Sequence, residues 1–212
     1  MGHFESCSFK PETPSGVDLR ERRILLHCCC APCSTAILEW MVEEGLRPGV
    51  FFSNSNIVPL EEYLKRRDEL ARYAASFGLE IIDDEYDHAA WLEYVTSRVQ
   101  GSPDGPERGP RCLACFEFRL LRAARYAAYH GYDLLTTTLA SSRWKDLSQV
   151  DQAGRHAVSE GTTFLTGHGP IEVIWWNQNW RRGGLQARRN FLIQSRALYN
   201  QTWCGCEFSH RD

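Results

Sequence analysis

The chain has 212 residues, of which 43% are hydrophobic and 24% charged, and its formal net charge is −3. This length suits one domain with a continuous core, and the acidic balance argues against a protein that binds nucleic acid through its overall charge, although a local basic face would suffice. No apolar run approaches the roughly 18 residues that a membrane span requires, so we expect no membrane association.

The first 23 residues are polar and contain Pro11, Pro14 and Gly16 without the hydrophobic segment of a secretion signal. This composition predicts a flexible leader over residues 1–23 and a cytoplasmic protein. A single α/β catalytic domain is predicted to occupy residues 24–212.

From residue 24 onward, short apolar runs alternate with helical periodicities. Strands are predicted at residues 24–28, 50–52, 79–82, 133–139, 164–165 and 171–176. Helices are predicted from a Ser34 cap to Gly45, at 61–77, at 89–99, through the apolar positions from Leu113 to Ala127, at 145–159 and at 185–198. This alternation with short connections predicts a doubly wound, mostly parallel sheet covered by helices on both faces.

In such sheets, ligands bind beyond the carboxyl ends of the strands, where the winding changes direction. Two segments are predicted to lie there, residues 28–33 and residues 136–142. The first of them is rich in cysteine, which makes it the predicted location of the functional site.

Nine cysteines in a chain of this kind indicate metal ligands or redox catalysts rather than a disulfide framework. Seven of them form three groups, namely Cys29, Cys30 and Cys33; Cys112 and Cys115; and Cys204 and Cys206. Cys112 and Cys115 are three residues apart at the start of a predicted helix, so both sulfurs can reach one site and the helix dipole favours their thiolate form.

Thiolate ligation serves both iron–sulfur clusters and structural zinc sites, so a four-cysteine zinc site is the alternative interpretation. Seven cysteines exceed the four ligands that either site needs, which favours a cluster together with a second metal or a redox pair. Cys204 and Cys206, separated by one glycine, are interpreted either as that redox pair, with a strained and easily reduced disulfide, or as two further metal ligands.

The three groups and their surroundings resemble the epoxyqueuosine reductases of the non-cobalamin, iron–sulfur type. The resemblance extends from Leu25 to Ser209 and includes Leu25-Leu26-His27, the run from Cys29 to Ser34, Asn56-Ile57, Tyr86-Asp87, the run from Pro106 to Gly109 before Arg111-Cys112, Thr137-Thr138-Leu139, and the ending Tyr199, Gln201, Cys204-Gly205-Cys206 and Phe208-Ser209. Two departures are Asn200, where the family usually has Arg, and Ser142-Arg143-Trp144-Lys145, where it usually has Ser-Pro-Tyr-Lys.

The resemblance implies a fold related to the adenine-nucleotide hydrolase-like (HUP) group and removal of the epoxide oxygen of epoxyqueuosine in tRNA, giving queuosine at the wobble position. It implies 4Fe–4S ligation by Cys29, Cys30, Cys112 and Cys115, and a redox-active pair formed by Cys204 and Cys206. Cys33 is left for a second, mononuclear metal (iron or zinc) or for a share in the cluster. The electron donor is not identified by the sequence.

Two carboxylates near these groups are candidates for protonating the departing oxygen. Asp87 follows a predicted strand and could act as a ligand or acid, or it could cap the helix that begins near Ala89. Glu107 enters the loop before Cys112 and could instead pair with a neighbouring arginine.

The densest positive stretch contains Arg181, Arg182, Arg188 and Arg189, flanked by Trp175, Trp176 and Trp180. Arginine for phosphates and tryptophan for an unstacked base are used in the recognition of single-stranded RNA, so these arginines are predicted to contact tRNA. The alternative is a surface helix with its tryptophans in the core. At the level of the whole protein, the alternatives are another iron–sulfur tRNA enzyme on this fold and a zinc-stabilised RNA-binding module without redox activity.

Overall fold

The computed structural model of the protein describes residues 8–161 and 172–209. The strands are β1 (Ile24–Cys28), β2 (Gly49–Phe52), β3 (Ile81–Asp83), β4 (Leu134–Thr137) and β5 (Ile174–Trp175). The helices are α1 (Ala31–Glu43), α2 (Leu60–Ala75), α3 (His88–Arg98), α4 (Pro110–His130), α5 (Leu147–Gly161) and α6 (Leu185–Ser195), with short 3-10 turns at Leu19–Glu21, Thr138–Ser141 and Glu207–Ser209.

The five strands form one parallel sheet in the order β3-β2-β1-β4-β5. The chain winds outward from β1 to β3 and then returns to the other side of β1, so the winding reverses between β1 and β4. Helix α1 packs against α2 and α6, while α4 packs against α3 and α5. The predicted doubly wound α/β fold is therefore confirmed, with its switch point between β1 and β4.

The central strands are buried on both faces because they are covered by helices on both sides. All five residues of β1 and all four of β4 are buried, and both strands are almost continuously apolar or β-branched. The carboxyl ends of β1 and β4 lie side by side, with His27 paired to Thr137. The segments that follow them, beginning at Cys29 and Thr138, are thereby placed at the same edge of the sheet.

Residues 8–23 of the predicted leader contact the domain. The ring of Phe9, which is buried, lies 5.0 Å from that of Trp40 and 5.2 Å from that of Trp180, and the indole of Trp176 donates a hydrogen bond to the carbonyl of Glu12 at 3.0 Å. This part of the leader is packed onto α1 and the segment before α6. The division into leader and domain remains a prediction.

No helix among the described residues is both long and apolar enough to cross a membrane. The short strand predicted at residues 164–165 lies outside the described residues.

Candidate metal and redox centre

The turn from β1 into α1 brings three cysteines together. The sulfur atoms of Cys29, Cys30 and Cys33 all lie within 4.8 Å of one another, and those of Cys29 and Cys30 are 3.8 Å apart. Cys30 is the extended N-cap residue and Pro32 occupies the first turn, where its fixed φ favours a helix start. The expectation that Ser34 caps this helix is wrong: the helix begins earlier, and the Ser34 hydroxyl donates to the Cys30 carbonyl at 2.8 Å.

Hydrogen bonds among the three thiols divide their protonation unequally: the pKa is lowered at Cys33, and raised at Cys29 and Cys30, where burial adds to the increase. Hydrogen bonds from Cys29 and Cys30 hold the pKa of Cys33 well below its usual range, against the effect of burial. The Thr138 hydroxyl, from the turn after β4, lies 3.4 Å from the Cys29 sulfur, and the Gln201 amide donates to the Cys30 sulfur at 2.8 Å. These donors stabilise thiolates at the start of a helix whose dipole acts in the same direction.

A second pair of cysteines lies at the start of α4. Gly109 is the N-cap and Pro110 opens the helix, so Cys112 and Cys115 fall in its first two turns, where both are buried. The backbone N–H of Arg108 donates to the Cys112 sulfur at 3.3 Å. Burial raises the pKa of Cys115, because no nearby positive charge fully offsets the loss of solvent. A bound metal cation would lower this pKa.

The third pair lies in the C-terminal segment, which has no helix or strand at this point. The ammonium group of Lys145 donates to the Cys204 sulfur at 2.7 Å. A hydrogen bond from Cys206 and the charge of Lys145 together hold the pKa of Cys204 well below its usual range, whereas the same bond and burial raise the pKa of Cys206. Cys204 is therefore the thiolate of the pair and Cys206 the thiol.

One buried cation interacts with all three groups. Arg119 is 2% exposed, and its guanidinium donates to the Ser53 carbonyl at 3.2 Å and to the side chain of Asn54. Its charge favours the thiolate form of Cys29, Cys115 and Cys204. The sequence analysis did not identify Arg119, although its position four residues after Cys115 on the same helix face was a usable signal.

The triad and Cys204 line a cavity of about 490 Å³ at the carboxyl edge of the sheet. Apart from the cysteines, its charged lining consists of five cations and one carboxylate, namely Arg66, Arg119, Arg143, Lys145, Arg189 and Glu107, and the low pKa values of Cys33 and Cys204 add negative charge. A cavity of this sign suits an anionic ligand, in a chain whose overall charge is negative.

Asp87 is placed at the N-terminus of α3 and not among the residues that line this cavity. Its carboxylate accepts a hydrogen bond from the backbone N–H of Ala90 at 2.9 Å, as an N-cap aspartate does. Glu107, the other carboxylate considered, does line the cavity.

Two of the four arginines predicted to contact RNA are held by partly buried hydrogen bonds within the protein. The guanidinium of Arg181 donates to the carbonyls of Ser142 and Lys145, the latter at 2.6 Å. Arg188 forms a bidentate pair with Glu39, with distances of 2.5 and 2.6 Å. These contacts join the segment before α6, and α6 itself, to the rest of the domain.

The other two arginines differ in position. Arg182 is exposed and lies 3.4 Å from the carboxylate of Glu12, while Arg189 lines the cavity and donates to Asn190 at 3.1 Å. Trp176 and Trp180 are core residues, at most 1% exposed. Of the predicted RNA-binding residues, Arg189 is thus the one beside the cysteine triad.

The residues present fit a metal centre. The donors are soft sulfur atoms, several of them accept hydrogen bonds from N–H or O–H groups, and two helix N-termini point toward them. Thiolate ligands with such outer hydrogen bonds are what an iron–sulfur cluster or a zinc ion uses, and the triad alone is close enough to hold one ion. The fold and this site define a cysteine-centred metal or redox enzyme of the doubly wound α/β class.

Comparison with known proteins narrows the class to one family. The family model described as epoxyqueuosine reductase QueH matches residues 24–212. The chain therefore belongs to the epoxyqueuosine reductase QueH family and is an oxidoreductase.

Three relatives described as epoxyqueuosine reductase QueH illustrate the similarity. The protein of Haemophilus influenzae is 38% identical over 203 residues, covering 96% of this chain and 76% of the relative. That of Acinetobacter baylyi is 37% identical over 190 residues, covering 90% and 81%. That of Thermotoga maritima is 33% identical over 187 residues, covering 88% and 89%.

Proposed function

We propose that this chain removes the epoxide oxygen of epoxyqueuosine in tRNA and gives queuosine, with a 4Fe–4S cluster as its electron source. The observation that carries the proposal is that the charge of Arg119 acts on all three cysteine groups and that the triad and Cys204 line one cationic cavity, in a chain of this family. The cavity lies at the switch point of the sheet, where ligands of this fold class bind.

We assign Cys29, Cys30, Cys112 and Cys115 as the cluster ligands. The two pairs lie at the N-termini of α1 and α4, where the helix dipoles favour thiolates. Cys33, whose pKa is the one lowered within the triad, is assigned to a second, mononuclear metal or to a share in the cluster. When bound, such a cluster supplies electrons one at a time.

The reaction needs two electrons and two protons: both carbon–oxygen bonds of the epoxide break, a carbon–carbon double bond forms, and the oxygen leaves as water. Glu107 is proposed to protonate the oxygen because it lines the cavity, whereas Asp87 caps the N-terminus of α3. Lys145 keeps its proton, because the Cys204 charge raises its pKa although burial acts in the opposite direction. Its ammonium group is thus available to orient negative charge in the cavity.

Cys204 and Cys206 are proposed to relay reducing equivalents. As a thiolate and a thiol they give up two electrons and one proton and become a disulfide, which an external electron donor must reduce again. The supporting observation is the division of roles within the pair, since an attacking thiolate beside a protonated thiol suits exchange with a donor.

The test begins with anaerobic purification followed by iron, zinc and sulfide analysis and a visible spectrum. We expect a brown protein with about four irons and four sulfides that bleaches on reduction. Mass spectrometry of nucleosides from epoxyqueuosine-containing tRNA should then show loss of one oxygen. A colourless protein with stoichiometric zinc and no sulfide, even after anaerobic reconstitution, would contradict the proposal and favour a zinc-stabilised RNA-binding module.

Adjacent cysteines supply a matched pair of variants. Cys29→Ala should lose iron, sulfide and activity together. Cys28→Ala should retain all three, because Cys28 is fully buried in β1 and burial raises the pKa of its thiol, which makes it a poor ligand. Equal loss in both variants would show that the metal does not depend on the assigned ligands.

A further inference from the structure

The loop after the 3-10 turn that follows β4 is held by two arginines from elsewhere in the chain. Arg181 donates to the carbonyls of Ser142 and Lys145. Arg108 donates to the carbonyls of the two residues between them, at 3.0 Å for Arg143 and 3.2 Å for Trp144. Four consecutive carbonyls are therefore fixed by guanidinium groups, which is more charged contact than a connecting loop requires.

This fixed loop presents its side chains in two directions. Lys145 points inward and reaches the Cys204 sulfur at 2.7 Å. Trp144 points outward and is 51% exposed, while the Arg143 guanidinium lies 4.7 Å from the centre of its ring. Both Arg143 and Trp144 also line the cavity that contains the cysteine triad. A half-exposed aromatic ring beside this cavity offers a face on which a planar group can stack.

The charged residues of the cavity beside Trp144 indicate the kind of ligand that this surface binds. The five cations of the cavity lining outnumber the carboxylate of Glu107 and the thiolates favoured at Cys33 and Cys204, so the cavity favours a polyanion. An exposed tryptophan backed by an arginine provides a stacking face for a nucleobase and a cation for its phosphate. Unpaired loop nucleotides of RNA are recognised by this combination, because their bases are free to leave the stack.

We propose that Trp144 is the platform on which an unpaired base of the anticodon loop stacks while its neighbour enters the cysteine cavity, and that Arg143 contacts the phosphate between them. This inference rests on the proposed function, because the substrate enters the cavity as part of tRNA. It assigns RNA binding to Arg143 and Trp144. Arg181 and Arg188 are less suited to this role, because their guanidinium groups already bind partners within the protein.

The experiment measures the dissociation constant and KM of the metal-loaded enzyme for an anticodon stem-loop RNA carrying epoxyqueuosine. Stacking of a base on an aromatic side chain is worth about 1–3 kcal/mol, so Trp144→Ala should raise both constants about 5- to 150-fold. Trp144→Phe should recover most of the loss. Tyr129→Ala is the control, because Tyr129 is also an exposed aromatic residue (74%) but lies at the opposite end of α4 from Cys112.

Two further readouts separate stacking from general charge attraction. Arg143→Ala should lower the dependence of log affinity on log salt concentration by about one, whereas Trp144→Ala should leave that slope unchanged. Single abasic sites placed along the loop should include one that weakens binding to the unmodified protein but not to the Trp144→Ala variant. That position identifies the stacked base.

The inference and the proposed function can fail separately. If the enzyme reduces the RNA but Trp144→Ala binds it as the unmodified protein does, or if no abasic position shows the expected dependence, the platform is overturned and the reductase stands. If binding depends on Trp144 as expected but no oxygen is lost from the RNA, the platform is supported and the reductase is overturned.

Discussion

The cysteines of this protein are held in place by two different means. Cys29 lies in the turn after β1, Cys33 in the first turn of α1 and Cys112 at the start of α4, so regular backbone structure positions their sulfurs. Cys204 and Cys206 lie in a segment without helix or strand and are held by contacts from distant parts of the chain. In this segment Arg66 donates to the Cys204 carbonyl at 2.8 Å.

The two parts of the site should therefore tolerate different substitutions. The first two groups keep their geometry as long as the sheet and the two helices form. The tail pair depends on a few side chains and on the backbone bond between the Val58 N–H and the Gly205 carbonyl, at 2.9 Å. We therefore expect substitutions at the tail contacts to release Cys204 and Cys206 while the triad keeps its arrangement.

The largest effect is expected at Arg66, which is 2% exposed and pairs at 2.6 Å with Glu62, itself 13% exposed. Arg66→Ala leaves this carboxylate without its cation and removes two hydrogen-bond donors to the tail. The free energy of unfolding should therefore fall by about 3–5 kcal/mol. Urea denaturation measures the change. Arg67→Ala, one residue further on and in a more exposed pair with Asp68, should cost about 0–1 kcal/mol.

Similar losses in the free energy of unfolding for Arg66→Ala and Arg67→Ala would contradict the special role of the tail contacts. Faster alkylation of Cys204 in the Arg66→Ala variant, with an unchanged rate at Cys33, would show that the tail is released while the triad keeps its arrangement.

Gly205 is the backbone test of the same segment. Its φ of +114° lies in a region that other residues rarely adopt, and a Cβ there would lie 2.9 Å from the Ile57 side chain and 3.0 Å from that of Arg66. Gly205→Ala should therefore destabilise the protein by about 1–3 kcal/mol. Gly45→Ala is the control, because φ is +79° but nothing lies within 4 Å of the added Cβ. Thermal unfolding of both variants should show the larger loss at Gly205.

His27, in β1, tests the regular part of the fold through the pH dependence of stability. Burial, with a smaller effect of the Arg119 charge, lowers the pKa of His27 to about 3, from 6.5 in the unfolded chain. Between these values the unfolded state binds a proton that the native state does not. Stability is therefore full above pH 6.5 and falls as the pH decreases toward 3, by about 2 kcal/mol between pH 7 and pH 5.

Denaturation of the metal-free protein at the two pH values measures this difference. His27→Gln should reduce it by about the stated amount, while replacing the exposed His156 by Gln should leave it unchanged. An undiminished difference in the His27→Gln variant would show that other groups cause the acid sensitivity.

The smallest change in stability, but a specific change in reactivity, is expected at Lys145. The hydrogen bond from Cys206 is the larger cause of the low pKa of Cys204, and the Lys145 charge adds to it. Lys145→Met should raise this pKa, so the thiolate fraction at neutral pH falls and alkylation of Cys204 slows. Lys145→Arg should retain most of the rate.

Peptide mass spectrometry after timed treatment with iodoacetamide, repeated over a pH series, follows Cys204 by itself. An alkylation profile of Cys204 that is the same in the unmodified protein and in the Lys145→Met variant would refute the assignment of Lys145 as its counter-ion.

Local patterns predicted most elements of the fold well. β1 was predicted with the bounds that the structure has, since an apolar run that stops at cysteines leaves little freedom in its ends. β4 was predicted at residues 133–139 but ends at Thr137, because the Thr137 hydroxyl accepts a hydrogen bond from the Leu139 N–H and starts a 3-10 turn. Side-chain hydrogen bonds of this kind are not encoded in strand propensity.

Only those features of the site that depend on neighbouring residues were predicted. Cysteine spacing is a local property, so the three groups and their location at the strand ends could be read from the order of residues. The role of Arg181 could not, because its partners at Ser142 and Lys145 are far away in sequence. A run of arginines looks the same whether it faces solvent or closes a loop.

Neighbouring residues were enough to predict the alternation of strands and helices, the parallel sheet and the helix start that carries Cys112, whereas α1 begins earlier than its predicted Ser34 cap. The contact between Lys145 and Cys204 and the position of Arg119 near the cysteine groups arise from tertiary packing. These are contacts between segments far apart in the chain, and their electrostatic strength depends on burial that is created only when the segments pack together.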